Sequence, residues 1–333
     1  MVSIDNIVEK LVYNNKKFII FVGAGVPIAA GLPMWQSMIN SLYNLYHLKD
    51  ISEKDLKNSD RAPEVAQKIY DYLKKDNRIN EYYETIKKNL QPTDSSYSAS
   101  ELDIALTSNW IITTNFDTTF EAAFKRKFEI EKTRKETYIT SLPDFEYSNL
   151  FDSESIVYLH GKIDENLIIF KQDDYDKYYP SVSNLKEGCT KDLEEYIKYI
   201  FKNYTIVFFG FSFDDKYFKK LLQNIYFDIK NSDELAAEKI GYTTKLDTIQ
   251  HYAFLKEVRY LVKEENEYML ENIKKKKIGK KRIKKISDLD KIGISTILYK
   301  NPITFLNFLE TVRELKKKES SLGTTIKDGA TEI

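Results

Sequence analysis

Apolar positions along the chain follow two rhythms. Continuous apolar runs of strand length occur at Lys17–Val22, Trp110–Thr114, Ser155–Leu159, Leu167–Phe170 and Tyr204–Phe209. Such runs suit strands covered on both faces, as in parallel sheets. Between them the spacing is helical. Ile4, Ile7, Val8 and Leu11 form one stripe at i, i+3, i+4, i+7. Periodic Leu, Ile and Tyr predict helix through most of 35–107, and further helices are predicted at 116–128, 173–179, 213–229 and 302–318. His251–Glu257 and Ile294–Tyr299 are late strand candidates. Strands alternating with helices predict an α/β fold, a mainly parallel sheet with helices on both faces. The stretch 35–107 is too long for a plain crossover and reads as an inserted helical module within a single domain over 1–318. Residues 319–333 carry few apolar groups and read as a disordered tail.

Four of the strands end in unusual residues: Gly23-Ala24-Gly25, Thr114-Asn115-Phe116-Asp117, His160-Gly161 and Gly210-Phe211-Ser212. In open, Rossmann-like sheets ligands bind outside the carboxyl ends of strands, so these four ends are expected to converge on one ligand. Small residues at 23–25 would let backbone N–H groups approach a phosphate, and a following helix N-terminus would add partial positive charge. The dinucleotide fingerprint wants a third glycine where Ile28 stands, and no Gly-Lys-Ser/Thr follows for a P-loop. Asn115 and Asp117 can orient a water or accept from an amide or hydroxyl. Either can equally cap the helix that follows, and spacing alone does not choose. His160 ends a strand and is a candidate general base. Ser212 is expected to cap a helix starting at Phe213, with Asp214 and Asp215 in its first turn.

Composition narrows the classes. Lys plus Arg and Asp plus Glu balance at 51 each in 333 residues, so no whole-molecule attraction to nucleic acid or acidic lipid is expected. Nine of the twelve residues 274–285 are basic, which reads as a solvated loop, with nucleic-acid binding through this run as the lesser reading. The acid pairs Asp173-Asp174, Glu194-Glu195, Asp214-Asp215 and Glu264-Glu265 read as solvated charges without a histidine at metal spacing. Cys189 is the one cysteine, which excludes a disulfide framework and multi-thiolate zinc sites and points to the cytoplasm. No apolar run approaches the roughly 18–20 residues of a membrane span, and the start Met-Val-Ser-Ile-Asp has no signal-segment pattern.

The four strand-end motifs, in this order, resemble the sirtuin (silent information regulator) family. Gly23-Ala24-Gly25 through Gly31-Leu32-Pro33 is similar to its Gly-Ala-Gly…Gly-Ile-Pro stretch. Thr113-Thr114-Asn115-Phe116-Asp117 is similar to Thr-Gln-Asn-x-Asp, His160-Gly161 to His-Gly, and Gly210-Phe211-Ser212 to Gly-Thr-Ser. Pro27, Thr114 and Met34-Trp35-Gln36 depart from the pattern, and the single cysteine cannot build the family's four-cysteine zinc module. These departures resemble the NAD-hydrolysing branch found in bacterial anti-phage defence. The resemblance implies NAD+ as substrate, no zinc, and an NADase that depletes NAD+ in abortive infection. It implies that Asn115 positions water, His160 accepts a proton and Asp117 holds the carboxamide. Gly23, Ala24, Gly25, Gly210 and Ser212 would bind the pyrophosphate, Pro33 and Thr114 would join the NAD site, and Trp35 would close over the nicotinamide side. The many Tyr and Phe suggest contacts between copies of a homo-oligomer, and control of such an enzyme implies a separate sensor or ATPase partner. The alternative is a sensor of NAD or ADP-ribose without turnover.

Overall fold

The protein is described by a computed structural model over residues 7–8, 11–12, 18–92, 96–141, 153–165, 167–182, 188–240, 251–256, 261–264, 267–270, 284–299 and 306–318. Ile4, the tail 319–333 and most of the basic run, 274–283, lie outside the described residues.

The strands in chain order are β1 (Phe18–Val22), β2 (Trp110–Thr113), β3 (Tyr138–Ser141), β4 (Ser155–Tyr158), β5 (Gly161–Lys162), β6 (Leu167–Ile168), β7 (Thr205–Phe209), β8 (His251–Lys256), β9 (Leu261–Glu264), β10 (Glu267–Leu270) and β11 (Ile294–Tyr299). Seven of them form one sheet in the order β11-β8-β7-β1-β2-β4-β3. Every neighbouring pair is parallel. In register, Ile20 stands opposite Ile111 on one side and Val207 on the other.

The continuous apolar runs are explained by cover on both faces. Alternate side chains of a strand point to opposite sides. Ile19, Phe21, Ile112, Val157, Ile206 and Phe208 pack with Tyr196, Ile200, Phe218 and Leu222 on one face. Phe18, Ile20, Val22, Ile111, Ile156 and Val207 pack with Ile7, Val8, Phe120, Phe124 and Phe308 on the other. Burying each large side chain contributes about 1.5–3 kcal/mol. The fold is therefore the expected Rossmann-like α/β sheet.

The helical stretch has its own core. Met38, Ile39, Leu42, Val65, Ile69, Leu73, Tyr82 and Ile86 cluster together, joined to the sheet body through Phe116, Ile163, Ile168 and Phe170. The last helix of the range, Ala99–Thr107, belongs elsewhere: Ile104 and Ala105 pack into the sheet's core beside Phe120 and Phe124.

Three local expectations are corrected. Gly23-Ala24-Gly25 leads only into a four-residue 3-10 turn, Pro27–Ala30, closed by Gly31 at φ 85°. The loop therefore does not run on into a long helix whose dipole could face a ligand. The helix expected from Phe213 begins at Lys216, because Phe213 adopts φ 55° and Asp215 supplies the cap. The edge strand β3 and the hairpin β9–β10 are additional to the strands that the hydrophobic pattern marks.

Candidate active site

The chain leaves β1 toward β2 on one side and returns to β7 on the other, which opens a crevice at the carboxyl ends of the central strands. One cavity of about 900 Å³, mouth included, fills that crevice. Ala24, Gly25, Thr114, Asn115, Asp117, His160, Gly210 and Ser212 line it from the sheet, and Pro33, Trp35, Met38, Ser59 and Leu90 from the helical side. All the sequence candidates except Gly23 thus meet in one place.

Asn115 is set by the end of β2. The Thr113 hydroxyl donates to the Val22 carbonyl (3.0 Å) and accepts from the Asn115 N–H (3.0 Å), tying this turn to β1. Asn115 is 8% exposed, and its Nδ2 has no hydrogen-bond partner among the described residues. It does not cap the next helix, Thr119–Glu131, which has no side-chain cap at Thr118. Asp117 takes the capping role: its Oδ1 accepts the Thr119 N–H at 3.2 Å. Burial holds the Asp117 carboxyl above its ordinary pKa, and Thr119 opposes that shift. Trp35 Nε1 is a second buried donor without a partner, with the indole against Phe170 and Tyr175. Buried polar groups almost always find partners. Both residues line the cavity and neither donor is satisfied among the described residues, so a ligand bearing acceptor oxygens fits there.

His160 is held by the hairpin β5–β6. Its carbonyl accepts the Ile169 N–H at 2.8 Å. Gly161 next to it has φ 84°, and a side chain there would run into the Leu167 carbonyl. The ring is 3% exposed, and burial pushes its pKa down to about 3, so it is neutral at pH 7. Nε2 lies 2.6 Å from the Tyr179 phenol oxygen. Burial keeps that phenol protonated, and among the described residues the ring nitrogen is its one hydrogen-bond partner. The phenol therefore donates to Nε2, and Nδ1 carries the ring hydrogen.

A profile described as a SIR2-like domain matches residues 109–278, just over half of the chain. The chain belongs to the SIR2-like family. It is also similar to Defense-associated sirtuin 2 of Bacillus subtilis, 24% identical over 218 residues that cover 62% of this chain and 19% of that protein. The chain thus spans about a fifth of the length of that relative.

Two readings of this SIR2-like site change with the geometry. The Gly23 and Gly25 N–H groups donate to the Phe209 and Gly210 carbonyls, both at 2.9 Å. A Cβ on Gly25 would stand 2.8 Å from the Gly210 carbonyl oxygen. These glycines let the β1 and β7 loops touch, and Gly23 does not line the cavity. The acid pairs are not all solvated. Asp215 lines the cavity and accepts from Tyr217 N–H (2.9 Å), Phe218 N–H (3.0 Å) and the Tyr175 hydroxyl (3.0 Å). Glu194 is buried and accepts the Ser181 N–H and hydroxyl. Among the described residues no three His, Cys, Asp or Glu side chains form a metal-holding group, and no helix is long and apolar enough to cross a membrane.

The aromatic wall of the SIR2-like site escapes sequence reasoning. Tyr175 stacks on Tyr217 at 4.6 Å and on Tyr179 at 5.7 Å, with His160 edge-on to Tyr175 and Tyr179. The Tyr175, Tyr178 and Tyr179 positions after His-Gly are the only sequence signal for it.

Proposed function

We propose that this chain is an NAD+ glycohydrolase, cleaving NAD+ and water into nicotinamide, ADP-ribose and a proton, and that it serves anti-phage defence. One observation carries the reading: the partnerless Asn115 amide shares a buried cavity with a neutral His160 and the Asp117 carboxyl. The family membership and the defence-associated relative support it. When the C1′–N bond breaks, its electron pair stays with nicotinamide, which leaves neutral and needs no acid. Asn115 donates to the incoming water or a ribose hydroxyl, and the cavity's carboxylates and dipoles favour the cationic ribose of the transition state. Asp117 accepts from the carboxamide, Trp35 covers that end, and Ser212 with the Ala24 and Gly210 backbone faces the pyrophosphate. His160, itself on the cavity wall, accepts the water's proton as its bond to Tyr179 breaks. The trigger belongs to a separate partner, acting on a homo-oligomer of this chain in the cytoplasm.

A second reading is a sensor that binds NAD or ADP-ribose without turnover. The observation that favours it is the engagement of Nε2 by Tyr179. Nicotinamide release by purified protein, with and without a candidate partner, separates the two. Binding by calorimetry with no release under any condition would leave the sensor.

A further inference from the structure

The Thr119 hydroxyl lies within hydrogen-bond reach of two carboxyl groups, Asp117 Oδ1 and Glu101 Oε1. Asp117 lines the cavity, whereas Glu101 is 0% exposed beneath it on the Ala99–Thr107 helix. A hydroxyl has one hydrogen and can donate to one oxygen only. Two ionised carboxylates would leave one close contact between oxygens without any proton, and would bury two like charges together. One acid must therefore hold a proton.

The partners say which. Glu101 divides its oxygens: Oε2 accepts the Ser98 N–H at 2.6 Å, which leaves Oε1 to donate to Thr119. Asp117 Oδ1 already accepts the Thr119 backbone N–H at 3.2 Å, and a protonated oxygen is a poor acceptor. Glu121, a further charged group near Asp117, is held by Lys162 at 2.8 Å and by the Tyr158 hydroxyl at 3.2 Å.

We propose that Glu101 is a protonated positioning residue, donating through the Thr119 hydroxyl to an ionised Asp117, so that the cavity presents a fixed negative acceptor to an N–H donor such as a primary carboxamide. The carboxamide part rests on the NAD+ reading. The proton assignment concerns the free protein alone. Burial raises both acids above their ordinary pKa, in keeping with one shared proton.

Infrared spectroscopy of the substrate-free protein at pH 7 tests the assignment. A protonated-carboxyl band is expected that is lost in Glu101→Gln, whose amide reproduces the donor and acceptor of the neutral acid. A band that persists unchanged in Glu101→Gln, or its absence from wild type, overturns the proposal. Should Glu101→Gln not fold, Thr119→Val serves: the same band must shift as its acceptor disappears, and an unmoved band overturns the assignment. In turnover assays Glu101→Ala is expected to raise KM for NAD+ about tenfold, the scale of one hydrogen bond to a charge, with a smaller fall in kcat. Glu101→Gln should restore most of the KM. Loss of kcat with KM unmoved would overturn the positioning role. Wild type that shows the band but neither binds NAD+ nor releases nicotinamide, with a candidate partner present, would sink the NAD+ reading and leave the proton where it is.

Discussion

The Tyr179 phenol donates to Nε2 of His160 across 2.6 Å, inside a wall where both side chains are almost wholly buried. Nε2 is thus engaged by a tyrosine 19 residues further on, while the His160 ring itself lines the cavity. Tyr179→Phe keeps the stack on Tyr175 and removes only the oxygen. Expected is a fall in kcat of about tenfold, the scale of one lost hydrogen bond that orients the imidazole, with KM nearly unmoved. Steady-state nicotinamide release checks this, and wild-type kcat in the variant would show that His160 works without the phenol.

Asn115→Ala separates chemistry from stability. Its Nδ2 has no partner to lose. Removing a buried unsatisfied group is near neutral or stabilising, so the melting temperature should stay within about 1 °C or rise. Nicotinamide release should disappear in the same sample. Lost turnover accompanied by a large drop in melting would assign Asn115 to structure instead.

Gly25→Ala should act on the fold before it acts on any ligand. The new Cβ meets the Gly210 backbone at 2.8–2.9 Å. Overpacking of this kind costs about 1–3 kcal/mol. Chemical denaturation should show that loss without NAD+ present. Undiminished stability with weakened NAD+ binding would return Gly25 to a direct phosphate role.

His251 gives a pH signature free of the active site. Its Nδ1 accepts the Ile206 N–H at 3.2 Å, and burial lowers its pKa to about 3. The unfolded ring, near its ordinary value, takes a proton first as the pH falls below about 6.5. Stability is then lost on the acid side, between about 6.5 and 3, and is independent of this group above that window. The stability advantage of wild type over His251→Gln should shrink by up to about 1.4 kcal/mol per pH unit on going from pH 6.5 to 5. Denaturant melts at several pH values measure it, and the carboxyl groups common to both proteins cancel. A constant difference would mean that His251 titrates in the folded state.

The parts of the site that could be read in the sequence are those written in consecutive residues. The glycines of 23–25, the Asn115–Asp117 turn and His160-Gly161 each interrupt an apolar run, and the end of a buried strand is where a parallel sheet binds ligands. What escaped is made by ordinary residue types meeting across distance. Tyr175 and Asp215 are 40 residues apart, and Glu101 and Thr119 sit on different helices. Asp215 looks like a solvated helix charge because acid pairs usually are, and only the fold shows a tyrosine donating to it. β3 is the polar edge strand Tyr-Ile-Thr-Ser, too short and too wet for the hydrophobic rhythm to mark.

The crevice has one wall from the sheet and one from a helical body with a separate core, joined behind it by Phe116, Ile163, Ile168 and Phe170. A molecule bound there touches both bodies at once and acts as a dowel between them. Its binding energy adds to the cohesion of the joint, by mass action on the closed form. On the proposed NAD+ reading, each cleavage would cut that dowel at the bond between its two ends. The grip of one body on the other would then change with every turnover.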